Sequence, residues 1–162
     1  MTERYKKSTE LLRRSLKVIP TGSQTFSKSY TQYPVGLSPL FLDRGKGGRV
    51  WDVDGNEYVD LISGLLPIVL GYCDPDVDDA IKRQLQKGII FSLPSILETE
   101  LAEKLIRLIP CAEMVRFGKN GSDVTAAAIR LSRAYTKRDK IIFCGYHGWH
   151  DWYIGKTSMS IG

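Results

Sequence analysis

The feature that most constrains this chain lies in its second half. Met114-Val115-Arg116-Phe117 is a short apolar run of the kind that forms a buried strand, and Gly118-Lys119-Asn120-Gly121-Ser122 follows it. Residues 123–136 then carry Val124, Ala127, Ala128, Leu131 and Tyr135 at helical spacing, and residues 140–144 form a second apolar run. Strand, glycine loop, helix, strand is a βαβ unit. It predicts two parallel strands joined by a right-handed crossover. The chain is therefore expected to be α/β, with ligands bound beyond the carboxyl ends of the strands.

What precedes this unit reads as a helix, a loop, a meander and two further helices. Residues 3–18 form a polar helix with Tyr5, Leu12 and Leu16 on one face, stopped by Pro20, Thr21 and Gly22. Residues 22–39 are a loop rich in Ser, Thr and Tyr, long enough to suggest function or cover by another chain. Strands are expected at 40–43, 49–53 and 57–61, with Asp54-Gly55-Asn56 turning the last two into a hairpin. Asp74 can cap a helix with Pro75 at its first position, acidic residues in its first turn and basic ones later, an order that suits the helix dipole. Ser95 with Glu98 makes a capping box for the next helix, whose stripe is Leu97, Leu101, Leu105 and Leu108 and whose end is Pro110.

Composition narrows the function classes. With 162 residues, 43% hydrophobic and 25% charged, the chain can build a packed domain and is no disordered tail. The net charge of +5 could attract anions, but acidic and basic residues alternate along most of the chain, so no nucleic-acid partner is expected. Cys73, Cys111 and Cys144 are odd in number and far apart, which fits neither a disulfide framework nor a metal site and makes the cytoplasm the natural compartment. The first 17 residues lack the apolar region of a signal peptide, and the longest apolar run, 65–70, contains Pro67, so no membrane association is expected.

Two loops carry the candidate chemistry. Asn120-Gly121-Ser122 opens a helix, where unpaired N–H groups and partial positive charge bind phosphate well. Ser122 could equally be a helix cap and Gly121 a turn residue. Gly145-Tyr146-His147-Gly148-Trp149-His150-Asp151 follows the second strand. Tyr146 could stack on a flat ring, although ordinary aromatic packing would also explain Tyr146 and Trp149. His147 and His150 are the only histidines, and no third ligand stands at a suitable spacing, so no metal is expected.

The chain also resembles a known family. The residues that carry the likeness are Leu40-Phe41-Leu42-Asp43-Arg44-Gly45-Lys46-Gly47 and Val50-Trp51-Asp52-Val53-Asp54-Gly55-Asn56-Glu57-Tyr58-Val59-Asp60. They continue through Leu70-Gly71-Tyr72-Cys73-Asp74-Pro75, Met114-Val115-Arg116-Phe117, Ala128-Ile129-Arg130-Leu131-Ser132-Arg133-Ala134-Tyr135-Thr136 and Tyr146-His147-Gly148. In this order they resemble the N-terminal part of the class III aminotransferases, above all the glutamate-1-semialdehyde aminomutases. The resemblance implies a fold-type I transferase dependent on pyridoxal 5'-phosphate (PLP), acting on a small-molecule amino donor and carbonyl acceptor as a homodimer. Residues 1–70 would be the small-domain portion, and residues 71–162 the start of the PLP-binding large domain with its mixed, mostly parallel sheet.

The family's roles carry over to matching positions. Asn120, Gly121 and Ser122 stand where the family holds the cofactor phosphate, Tyr146 where a ring stacks on the pyridine, and His147 belongs to the same motif. Lys119-Asn120-Gly121-Ser122-Asp123-Val124 replaces the aminomutase Asn-Ser-Gly-Thr-Glu-Ala. Lys28 stands in place of an arginine that holds the substrate carboxylate, and it lacks the bidentate fork. Trp149-His150-Asp151-Trp152-Tyr153 is richer in aromatics than the aminomutase pattern and suggests a bulkier or sugar-like substrate. A sugar aminotransferase of the same fold and a non-catalytic remnant are the alternatives. The lysine that forms a Schiff base with the cofactor and the aspartate that protonates its ring match no position here, so this chain alone is expected to be inactive. A sheet with so few strands should leave apolar surface exposed.

Overall fold

The computed structural model describes residues 3–150 of the chain. They form two compact units, Met1–Ile90 and Phe91–Gly162.

In the first unit a single 3-10 turn, Glu3–Tyr5, leads into helix α1, Lys6–Ser15. The sequence offers this helix no local cap: Tyr5 precedes it, its side chain makes no capping bond, and no acidic residue lies in the first turn. The cap comes instead from the hairpin. Asp54 accepts from the N–H of Lys7 at 2.6 Å and of Ser8 at 2.9 Å, which satisfies donors that a helix start otherwise leaves unpaired. Tyr5, Ser8, Leu12 and Ser15 are the buried face. Leu16, expected on that face, is 45% exposed, because α1 ends at Ser15 and the chain turns away.

The meander contains β1 (Leu42–Lys46), β2 (Arg49–Asp52) and β3 (Glu57–Val59), antiparallel in that order. The first strand starts later than the apolar residues suggested, and a register shift between Leu42 and Arg44 leaves Asp43 unpaired. The Arg44 guanidinium lies 4.0 Å over the Trp51 ring, and Arg49 pairs with Glu57 across the sheet. Asp52 is 2% exposed yet well satisfied. Its carboxylate accepts from the N–H of Asp54 and Asn56 and from the side chains of Asn56 and Tyr58, at 2.8–3.0 Å. A buried charge without such partners would be costly. Burial, with hydrogen bonds to Tyr5 and Asp52, pushes the Tyr58 phenol well above its ordinary value.

Tyr72 crosses the meander: it bridges to Gly47, and its hydroxyl donates to Asp60 at 2.7 Å. Gly45 allows this, since a Cβ there would lie 2.5 Å from the Tyr72 ring. Helix α2, Pro75–Leu85, starts as expected, with Asp74 accepting from the N–H of Asp76 and Val77.

The second unit holds α3, Ile96–Leu108, and α4, Gly121–Thr136. The Ser95–Glu98 capping box forms as read from the sequence, and α3 ends two residues before Pro110. The expected strands at 114–117 and 140–144 do not form: the three-stranded meander is the only sheet among the described residues. Both segments lack helical structure, but a strand exists only with a ladder partner, and neither becomes the partner of the other. The apolar stripes stay uncovered, with Leu97 at 47%, Leu131 at 71% and Ile142 at 100% exposure.

Candidate functional site

The start of α4 has the features of a helix terminus suited to an anion. Asn120, not Ser122, is the cap: its Oδ1 accepts from the N–H of Asp123 at 3.0 Å. Gly121 and Ser122 therefore sit inside the first turn, and among the described residues nothing accepts from their N–H groups. Two donors without a partner among the described residues, at the positive end of a 16-residue helix, favour a bound phosphate or carboxylate. A Cβ added to Gly121 would meet nothing within 4 Å, so the space beside these donors is open.

The loop after residue 144 folds onto this helix start. Gly145 and Gly148 turn it with φ of +79° and +127°. The Thr125 hydroxyl reaches the His147 carbonyl at 3.2 Å, and the Trp149 N–H donates to Ser122 Oγ at 3.3 Å. His150 Nε2 lies 3.9 Å from Asp123 Oδ1. Gly148 is buried in the contact, where a Cβ would lie 2.5 Å from Ser122 Oγ. The His147 ring turns back to the Cys144 carbonyl and meets Phe143 edge-on, with centroids 6.4 Å apart. Tyr146 and Trp149 remain 68% and 72% exposed, so both rings are available to a ligand.

Of the residues singled out in the sequence, Asn120, Gly121, Ser122, Tyr146, His147 and Trp149 thus belong to two loops of one unit that touch. Lys28 belongs to the other unit. It lines a cavity of about 620 Å³ there, with Tyr33, Phe41, Tyr58, Leu65 and Tyr72 among its neighbours in the wall. Asp151, Trp152 and Tyr153 lie outside the described residues. Sequence reading missed Thr125 and the Asp123–His150 pair, because only the fold brings them to the loop. Among the described residues no group of three or more His, Cys, Asp or Glu could hold a metal ion, and no helix is long and apolar enough to cross a membrane.

Comparison with known proteins places these loops in context. Residues 30–161 match the family model "Aminotransferase class-III". The chain is 45% identical over 157 residues to the 3-aminobutyryl-CoA aminotransferase of Cloacimonas acidaminovorans, covering 95% of this chain and 38% of that protein. It is 38% identical over 159 residues to a glutamate-1-semialdehyde 2,1-aminomutase of Geobacillus thermodenitrificans, covering 97% of this chain and 37% of that protein. The fold superposes with a TM-score of 0.86 on the FumI protein of Sphingopyxis sp. MTA144, solved with PLP, at 32% identity over 94% of this chain and 37% of that one. The chain thus spans between a third and two fifths of the length of these relatives.

Proposed function

The chain belongs to the class III aminotransferase family, and on that premise we propose that the protein carrying it transfers amino groups with PLP as cofactor. The observation that supports this most is the helix start at Gly121 and Ser122, with two N–H groups unpaired among the described residues, a hydroxyl and the exposed Tyr146 ring in the adjoining loop. PLP, when bound, supplies an electron sink for the carbanion formed at the substrate carbon that bears nitrogen.

The chain's own residues bind and orient. The N–H groups of Gly121 and Ser122, the Ser122 hydroxyl and Asn120 Nδ2 donate to the phosphate. Tyr146 stacks on the pyridine ring, and His147, held through the Cys144 carbonyl, fixes the loop that carries Tyr146. Lys28 offers a point charge to a substrate carboxylate, and Trp149 an apolar wall. No lysine of this chain is assigned the covalent bond to the cofactor, and the chain alone is assigned no turnover. Residues 1–70 serve as the small-domain portion and 71–162 as the start of the cofactor domain. The working protein is a homodimer in a reducing, cytoplasmic compartment, which suits three exposed free cysteines.

Transamination is favoured over the 2,1-aminomutase reaction. Lys28 lacks the fork for an α-carboxylate, and the exposed Trp149 suits a bulkier substrate. The relative at 45% identity is named for an amino-bearing acyl-CoA substrate, which agrees with a large amino donor.

The test is PLP titration of the complete protein, read by visible absorbance, for wild type and Gly121→Ala. The new methyl group enters open space at a helix start, so folding stability holds or rises by about 0.5–1 kcal/mol. PLP affinity falls about tenfold or more, as when a charge-assisted hydrogen bond is displaced. No visible band with the wild type would refute the proposal.

A further inference from the structure

We propose that Thr125 and Gly148 are positioning residues that lock the loop 145–150 onto the start of α4, so that ring stacking and phosphate binding work as one preorganised body. The inference rests on the proposed PLP site and goes beyond it, because neither residue touches the cofactor in that reading. Three independent contacts support it.

The first is the Thr125 hydroxyl. A threonine within a helix ordinarily spends its proton on a carbonyl three or four residues back. Thr125 has that option in the Ser122 carbonyl at 3.1 Å, yet the His147 carbonyl lies equally in reach at 3.2 Å. The hydroxyl is thus shared between the helix and the residue next to Tyr146. The second is Gly148, which is buried against Ser122. A Cβ there would lie 2.5 Å from Ser122 Oγ, 3.2 Å from its Cβ and 3.3 Å from its Cα, so any side chain would push the loop off the helix. Its φ of +127° is itself unfavourable for other residues.

The third contact sets a proton. The Trp149 N–H donates to Ser122 Oγ, so that oxygen acts as an acceptor on the loop side. A hydroxyl carries one proton and two lone pairs, and a lone pair engaged this way leaves the proton free to point elsewhere. The loop therefore prepares Ser122 as a donor to phosphate before the ligand arrives. Preorganisation of this kind raises affinity by removing ordering costs at binding.

The experiment uses the complete protein and its Thr125→Val, Thr125→Ser and Gly148→Ala variants. Affinity for PLP, affinity for inorganic phosphate, and the visible circular dichroism of bound PLP are measured for each. Thr125→Val keeps shape and loses the hydroxyl. It is expected to bind PLP about fivefold more weakly, the scale of one hydrogen bond, and to show a smaller dichroic band. Phosphate affinity falls by less than PLP affinity, because the N–H groups of Gly121 and Ser122 are intact and only the preset Ser122 hydroxyl is released. Thr125→Ser restores both readouts, and Gly148→Ala exceeds Thr125→Val in both. Wild-type PLP affinity and dichroism in Thr125→Val would overturn the clasp alone, as would an equal loss for PLP and phosphate. Failure of the wild type to bind PLP would overturn the clasp and the proposed function together.

Discussion

Asp54→Ala should detach the first helix from the hairpin while leaving the hairpin paired. The Asp54 carboxylate accepts two N–H groups of the first turn of α1, from 47 and 46 residues away. Removing a capping side chain costs about 1 kcal/mol, with a range of roughly 0.5–2. A negative charge at the positive end of a helix adds about 0.3–1 kcal/mol. With two donors orphaned and no local substitute at Tyr5, about 2 kcal/mol is expected. That is about a 30-fold rise in the local opening constant. Amide hydrogen exchange reads it directly: protection within Lys6–Ser15 should fall by about this factor, while Val50 and Tyr58, paired backbone to backbone, keep theirs. Asp54→Asn keeps one acceptor and should fall between. Burial raises the Asp54 pKa, but contacts from Ser8, the N–H groups of Ser8 and Lys7 and the Lys7 charge outweigh it, leaving the value lowered. A lowered carboxyl pKa stabilises fully above the ordinary value of about 3.9 and loses that contribution as pH falls through the folded value. Wild-type protection in α1, or equal loss in α1 and β2, would refute the tertiary cap.

Two further substitutions probe the meander. Gly45→Ala drives a methyl group into the Tyr72 ring and should cost about 1–3 kcal/mol in urea unfolding of the complete protein, with Tyr72→Leu in the same chain recovering part of it. Tyr58→Phe removes the hydroxyl that Asp52 accepts at 2.9 Å and should cost about 1–1.5 kcal/mol; no change would show that the other donors to Asp52 suffice. Ultraviolet titration should find a phenol that ionises above its usual range and disappears in Tyr58→Phe, its stabilising effect whole below about pH 10 and declining above.

What the sequence made legible follows from how many partners each element needs. Helices α2 and α3 carry their starts within four residues, Asp74 with Pro75 and Ser95 with Glu98, and both begin where expected. Helix α1 has no such signal, because its cap is a hairpin aspartate that looked like a turn residue. Residues 114–117 and 140–144 have strand composition but form no ladder, since pairing depends on a neighbour that a local pattern does not name. The site divides along the same line. Asn120, Gly121 and Ser122 announce a helix start, and Tyr146 an aromatic loop, each by local chemistry. That the two loops meet depends on Thr125 and Gly148, an ordinary helix residue and one glycine among 15, whose roles exist only once residues 22–26 positions apart have come together. Chemistry that acts through one helix end can be read in advance, whereas chemistry that needs two loops held at hydrogen-bond distance is specified by the contact between them.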